Sequence, residues 1–467
     1  MYEGLVLAII LLPLIGSIFT FVKRREIYAL FVSSATFVLN LFLLPSALRG
    51  ETFAFGWELV YGLSLSFIAD PLSVFTALSI SLIGALIVLY SGDYMRRYSH
   101  LFEYYFLILL FTGGMMGLVY SNNLLLMYVF WEITSICSWR LIGLEREDRD
   151  KVLMGDKAFL ITFFGSAFLL LGLSMIYVEE GSLDLYMLKG TQIASLPLIF
   201  IFMGIIAKSA QVPLHSWLPD AGVAPTPAVA LLHTAVLGGV YAFARIFPAT
   251  IGIPEGWEVW VPIFAVSGSI LCGFAALVGN DMGKILAYST ISQVAFIFLG
   301  FSVGTKLGFM GALLFILVHG LGKTGLFLSM GVVEHETGER DIRKISGLFG
   351  KMPRVGVFYL FCALSIMGIP PFGGFFSKLL IVMGVVDAGM IAVAVLSLFS
   401  AFLSMAYLMR LFYSVFLGEP EVRDFKERGP MLMSVGILAI LSLITGILVF
   451  YPYRLLDITY RVISGVI

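Results

Sequence analysis

Long apolar stretches follow one another along this chain with little between them. Runs of about 17 to 30 residues lie at 4–22, 27–48, 71–91, 102–120, 123–143, 158–178, 196–216, 226–247, 258–280, 285–303, 307–333, 355–384, 389–417 and 430–450, separated by short connections rich in charge, proline or glycine. A hydrocarbon core is about 30 Å thick and a helix rises about 1.5 Å per residue, so each run is long enough to cross a bilayer. The pattern predicts an all-α polytopic membrane protein of about fourteen transmembrane helices. The first run is too long for a secretory signal and lacks its small-residue cleavage site, so it is predicted to remain as a membrane helix.

Two runs are interrupted by their own residues. "QVPLHSWLPDAGVAPTPAV" sets Pro213, Pro219, Pro225 and Pro227 at the end of the seventh run, and "MGIPPFGGFFSK" sets Pro370, Pro371, Gly373 and Gly374 inside the twelfth. Proline removes a backbone donor and clashes with the preceding turn, so both helices are expected to break at membrane depth. Broken helices at corresponding places mark transporters built from inverted repeats. A spacing of five helices therefore predicts two inverted five-helix repeats, helices 4–8 and 9–13. The organisation that follows is 1–100 for the first three helices, 101–250 and 251–418 for the two repeats, and 419–467 for the last helix and tail.

Composition narrows the function classes. Apolar residues make up 60% of the chain and charged ones 13%, against about a quarter charged in a soluble domain. A net charge of −1 gives no reason to expect a nucleic-acid partner. Cys137, Cys272 and Cys362 stand apart, with no CxxC pair, and read as small core residues; no cofactor or metal is expected in this chain itself. With the N-terminus outside, eighteen Lys and Arg fall in inner loops, among them Arg96, Arg97, Arg146, Arg340 and Arg343. Only Arg49, Lys189, Arg245, Lys306, Arg454 and Arg461 fall outside. That bias places both termini outside.

The remaining charges lie within the spans. A charged side chain at the bilayer centre costs about 2.5 to 3.5 kcal/mol on insertion scales, so such residues face a bundle interior or water and often mark an ion path. Glu132 and Arg140 lie on the fifth run, Lys208 and His215 on the seventh, His233 on the eighth, His319 and Lys323 on the eleventh, and Lys378 on the twelfth. A lone Glu–Arg pair is as often structural as functional. His100 and His335 sit in charged loops and read as solvated residues; Asp70 and Asp281 read as helix N-caps. His319 and Lys323, four apart, share one helical face in a long apolar span, a spacing suited to a relay.

The strings "FWEITSICSWRLIG", "AKSAQVPLHSWLPDAGVAPTPAVALLHTA", "DMGKILAYSTISQVAFIFLG", "VHGLGKTGLFLSMG" and "GIPPFGGFFSKLLI" resemble the antiporter-like subunits shared by respiratory complex I, Mrp-type Na+/H+ antiporters and membrane-bound hydrogenase or sulfane sulfur reductase complexes. The resemblance covers about residues 65 to 415. It implies a proton-translocating subunit whose path charges map onto Glu132, Lys208, His233, His319, Lys323 and Lys378, with Arg140, His215 and Lys284 as candidate modulators. His233 stands where some relatives have lysine. Gly283 stands where a "DIKR"-like pattern has a basic residue, with Lys284 beside it.

Burial disfavours a lysine's charged form and a nearby carboxylate restores it. A Glu132–Lys208 pair would thus hold a proton when closed and release it when open, feeding His233, Lys323 with His319, then Lys378, through ordered water and half-channels at the broken helices. The chain carries no nucleotide loop, cluster ligands or haem attachment site, so the resemblance implies redox subunits with Fe–S clusters elsewhere in a multisubunit assembly, alongside other membrane subunits that include further antiporter-like ones, and lipid. Three readings stand: a proton-translocating subunit of a redox-driven complex in a prokaryotic plasma membrane, a subunit of a stand-alone Mrp-type Na+/H+ antiporter, and a scaffold with vestigial charges. Redox chemistry is not expected of the chain itself. Sodium stays open as a second ion, since a carboxylate such as Glu132 also holds a cation.

Overall fold

The computed structural model describes residues 2–60, 63–419, 425, 427 and 429–450. The predicted tail and the charges Arg423, Lys426, Arg428, Arg454 and Arg461 lie outside them. In chain order come α1 (Tyr2–Ile18), α2 (Arg25–Leu41), α3 (Leu44–Leu48), β1 (Phe53–Val60), β2 (Leu63–Ala69), α4 (Pro71–Tyr94), α5 (Leu101–Tyr120), α6 (Leu124–Ile142), α7 (Arg149–Glu180), α8 (Ser195–Lys208) and α9 (Trp217–Asp220). Then follow α10 (Thr226–Ile246), α11 (Trp257–Val278), α12 (Met282–Ser302), α13 (Lys306–Thr337), α14 (Pro353–Met367), α15 (Gly373–Asp387), α16 (Ile391–Phe416) and α17 (Gly429–Phe450). Among the described residues eleven helices are long and apolar enough to cross a membrane, and α1, α8 and α14 are shorter apolar helices. The protein is a polytopic all-α membrane protein, with one addition to that expectation.

The addition is a β-hairpin between the second and third runs. β1 and β2 pair antiparallel, Phe53 opposite Ala69 and Trp57 opposite Leu65. The sequence "LSLSF" alternates apolar and polar residues with the period of a strand, and Ser64 and Ser66 both donate to Asp184 Oδ1, at 2.6 and 2.7 Å. Strands of eight and seven residues are too short to stand out as membrane-spanning apolar runs.

The core sits on α10, α12 and α13. The apolar windows of these helices are 100%, 94% and 94% buried, against 39% for α7 and 44% for α16. Helices apolar all round belong inside a bundle, and α13 packs on α4, α10, α12, α14, α15 and α17. At 32 residues α13 is among the longest, and it places Lys323 about 26 Å from its first residue and about 21 Å from its last.

Both predicted breaks are present. α8 stops at Lys208, eight residues before the apolar run ends, because Ala210 adopts a left-handed φ of 50°. The Gln211 N–H then bonds Ile206 O at 2.8 Å, the bond that closes a Schellman turn. The Trp217 indole donates to the Ala207 carbonyl at 3.0 Å, which also accepts from Ala210 N–H at 3.2 Å. α14 ends the same way at Gly368, φ 85°, with Ile369 N–H on Leu364 O at 3.0 Å. Chain direction at these breaks requires close backbone approach, since a Cβ on Gly374 would run into Ser365 O.

Arg245 is a correction. It is assigned to an outer loop by sequence, yet it lies in the last turn of α10, 4% exposed. Its guanidinium grips Asp70 with two bonds of 2.6 and 2.7 Å and bonds Tyr241 Oη at 3.0 Å. Asp70 also caps α4 as predicted, accepting from Ser73 N at 2.8 Å. His335 is a second correction: it is 7% exposed in the last turn of α13, 5.4 Å from the Tyr94 ring, with Nδ1 3.1 Å from Glu336 Oε1. α13 is longer than its apolar run, and its final turn packs on α4 instead of reaching solvent.

Candidate functional site

Three buried lysines share one kind of environment. Lys208, the last residue of α8, is 3% exposed. Its Nζ donates to Trp131 O at 3.2 Å, Thr134 Oγ1 at 2.6 Å and Ser135 Oγ at 2.9 Å, all on α6, and lies 5.4 Å from the centre of the Trp131 ring. Lys323 on α13, 1% exposed, donates to Leu286 O at 3.2 Å and to Ser289 Oγ on α12. Lys378, 5% exposed near the start of α15, donates to Met367 O at 3.4 Å and Ser404 Oγ at 3.1 Å, with Phe296 and Phe315 rings at 5.4 and 5.7 Å. Each cage is a helix carbonyl and at least one hydroxyl, and at Lys208 and Lys378 an aromatic face is added.

That composition bears on proton chemistry. An ammonium only donates hydrogen bonds, whereas a neutral amine also accepts, and a Ser or Thr hydroxyl does both by rotating. A hydroxyl cage therefore satisfies a lysine in either protonation state; a carboxylate would fix the charged one. None of the three lysines forms an ion pair among the described residues. The breaks help to build the cages. Lys208 ends the helix before the first break, and Lys378 lies after the second, where its amine satisfies the Met367 carbonyl left free at the end of α14. The two lysines thus sit on opposite sides of their breaks.

Glu132 is half-buried on α6, with Oε1 inaccessible to solvent and without a hydrogen-bond partner. It lies within electrostatic reach of Lys208 but not in contact, so the expected pair stands open. Beside Lys208 a cavity of ≈ 10 Å³, lined by Ser135, Ser138, Trp139, Thr162, Trp217 and Ala235 among others, leads toward α10; that is room for one water. His233 is 2% exposed, stacked on Phe327 at 4.1 Å and 22°. His319 is fully buried, its ring edge-on to Phe315 at 6.1 Å. Neither imidazole has a hydrogen-bond partner on either nitrogen. His233 feels the charges of Lys323 and His319, and His319 those of Lys323 and Lys378. The structure thus gathers the six predicted residues into two groups, Glu132 with Lys208 and the remaining four around α13.

The modulators fall differently. Arg140 does not engage Glu132: its Nη2 meets Glu103 Oε1 at 2.7 Å, and Arg146 holds the other oxygen of that carboxylate at 2.7 Å. Two helical turns carry Arg140 to the end of α6 that bears the basic loops, within reach of the first turn of α5. His215 lies half-buried in the first break, its Nδ1 3.3 Å from Pro213 O and its ring 6.3 Å from Tyr288. Lys284 is exposed in the first turn of α12, which Asp281 caps at 2.8 Å. Gly283 has a physical reason: a Cβ there would run into the Arg340 guanidinium, which brings a basic group to this position from another loop and lies 3.7 Å from Asp281 and 3.6 Å from Glu334. In the same loop Arg343 grips Asp341 and holds its carboxyl down to about 2.

Sequence reading missed the hydroxyls. Thr134, Ser135, Ser289 and Ser404 look like ordinary small helix residues, and only their placement opposite a lysine gives them a role. Among the signals available, Thr134 and Ser135 lie within one turn of Glu132, and Ser289 lies in the hydroxyl-rich "YSTISQ".

Residues 121–404 match the family described as NADH:quinone oxidoreductase/Mrp antiporter, transmembrane. The Na(+)/H(+) antiporter subunit A1 of Staphylococcus haemolyticus is 30% identical over 488 aligned positions, covering 96% of this chain and 61% of that protein. A subunit A1 from Staphylococcus aureus is 31% identical over the same shares. The chain therefore spans less than two thirds of the length of these relatives. Among solved structures, the Mrp complex from Dietzia sp. DQ12-45-1b superposes at a TM-score of 0.91 and 21% identity, covering 99% of this chain and 97% of that one; at that identity the likeness concerns the fold. The membrane-bound sulfane sulfur reductase, an archaeal respiratory membrane complex, superposes at 0.84 and 25% identity, covering 94% and 76%.

Proposed function

The chain belongs to the NADH:quinone oxidoreductase/Mrp antiporter transmembrane family, and from that premise we propose that it is a proton-translocating subunit of a multisubunit, redox-driven membrane complex. The observation that carries the proposal is the set of three lysines buried along the bundle, each held by groups that serve both its charged and its neutral form. A scaffold has no use for cages of that kind, and burying three amines with no carboxylate in contact would only destabilise it. Lys208, His233, His319, Lys323 and Lys378 pass protons in steps, and Glu132 sets the charge state of Lys208 when the pair closes. Moving one charge against 100 mV takes about 2.3 kcal/mol, an amount within reach of one charge rearrangement in a low-dielectric interior.

The face bearing Arg96, Arg146 and Arg340 lies in the cytoplasm by the positive-inside rule, and both termini lie outside, in a prokaryotic plasma membrane. Neighbouring antiporter-like subunits and Fe–S redox subunits complete the assembly. The likeness to a respiratory membrane complex supports a redox drive. A second reading, a subunit of an Mrp-type Na+/H+ antiporter driven by ion gradients alone, draws support from the named function of the curated relatives. Purification from native membranes separates the two: iron–sulfur proteins in stoichiometric amount support the first, and companions that are all membrane antiporter subunits support the second.

A further inference from the structure

α16 carries a file of buried hydroxyls that meet α11, α15 and α12 in turn. Ser400, Ser404 and Tyr407 recur at helical spacing and are 0%, 0% and 1% exposed. Arg410, one turn further on, donates to Leu277 O at 2.8 Å at the end of α11. α16 therefore runs antiparallel to α12, whose first residue follows that same end of α11. Tyr407 Oη accepts from Ser289 Oγ at 3.0 Å and from Gln293 Nε2 at 3.1 Å. Ser289 is the hydroxyl that cages Lys323. Toward the opposite face, Ser400 Oγ is 2.5 Å from Ser269 Oγ, itself 3.1 Å from Ser292 Oγ. Between Tyr407 and Ser400 on α16 lies Ser404, the hydroxyl that cages Lys378.

The seam thus begins at one lysine's cage, and Ser404 of the other's cage lies one turn along the same helix from Tyr407. Polar groups between membrane helices often act as glue, but glue needs one bond per pair. Tyr407 instead accepts two bonds and keeps its own proton for a third partner, and the Gln293 Oε1 beside it is buried with no donor. His319, on the same side of α13 as Lys323, makes no hydrogen bond at all.

We infer that Ser289 and Tyr407 relay protons between Lys323 and Lys378 along the α12–α16 seam, on a route separate from His319. The inference rests on the proton-translocating reading above. The Lys323 ammonium gives a proton to Ser289 Oγ as the serine's own proton passes to Tyr407 Oη. The tyrosine's proton leaves to water in the seam, and water gives a proton through Ser404 Oγ to a neutral Lys378. Each hydroxyl gains one proton and loses one, so only the two lysines change charge.

The test compares Tyr407→Phe, Ser289→Ala, Ser289→Thr and Lys323→Ala in the whole complex, expressed with its neighbouring subunits and reconstituted into liposomes, with proton movement followed by a pH-sensitive dye. Tyr407→Phe and Ser289→Ala are expected to slow it at least tenfold at normal assembly, Ser289→Thr to restore it to within twofold of wild type, and Lys323→Ala to abolish it. Rates within twofold of wild type for Tyr407→Phe and Ser289→Ala, with Lys323→Ala inactive, overturn the relay and leave the proton-translocating reading standing. Full transport by Lys323→Ala overturns that reading as well. Where Tyr407→Phe does not assemble, Ser289→Ala against Ser289→Thr decides the same question.

Discussion

Removing Arg245 should damage this protein more than any surface charge, and the damage should be cancelled by a second substitution. Arg245 and Asp70 are 4% and 6% exposed and joined by two bonds of 2.6 and 2.7 Å. Arg245→Met leaves the Asp70 carboxylate buried without its counter-charge, and breaking such a pair costs about 3–5 kcal/mol. Asp70→Asn breaks the pair from the other side while keeping the α4 cap, since asparagine caps as well as aspartate. The double variant buries no unpaired charge and is expected within about 1–2 kcal/mol of wild type, because replacing both partners often costs little. For 467 residues the unfolding entropy is about 1 kcal/mol per degree, so each single variant should melt about 3–5 °C lower. Thermal unfolding of the purified complex in detergent reads this directly. Additive losses, with the double variant lowest of the three, would refute the reasoning, since they would mean that each residue acts without the other.

Four further outcomes follow from the same geometry. Thr134→Val with Ser135→Ala strips two hydroxyls from Lys208; hydrogen bonds to a charged group contribute about 1.5–3 kcal/mol each, so transport in liposomes should fall at least tenfold with assembly intact. Arg140→Gln touches the Glu103 cluster and not Glu132, so transport should stay within twofold of wild type, and a loss as large as that of Glu132→Gln would contradict the placement. Gly283→Lys drives a side chain into Arg340 and should lower the amount of assembled complex on native gels, with Arg340→Ala in the same chain restoring it. Ala210→Gly should leave assembly and transport unharmed, because glycine accepts the left-handed φ at the first break without a Cβ penalty; a severe loss would mean that the methyl group itself packs there.

What could be read from the sequence was what repeats or what is rare. Fourteen apolar runs and two proline-rich interruptions are long-range patterns, and each has its counterpart in helices and breaks. Lys208, His233, His319, Lys323 and Lys378 stood out because charge is scarce in such runs, and all five prove buried. What escaped were partnerships. Asp70 was legible as a cap but its pairing across 175 positions with Arg245 was not, and Arg140 looked like a neighbour of Glu132 only because spacing on one helix says nothing of the helix opposite. The hydroxyls of Ser289, Ser404 and Tyr407 are common residues whose meaning comes from what they face. The hairpin was hidden because a seven-residue alternating strand is far shorter than the apolar runs on either side of it.

If buried amines in hydroxyl cages move protons, transport fails when a caged amine is removed from an intact assembly. The whole complex carrying Lys208→Ala or Lys323→Ala, shown to assemble in wild-type amounts, is reconstituted into liposomes and its proton movement recorded under the drive that powers the wild type. Either substitution is expected to abolish the movement. Wild-type rates from either variant would mean that the caged amines do not carry the protons.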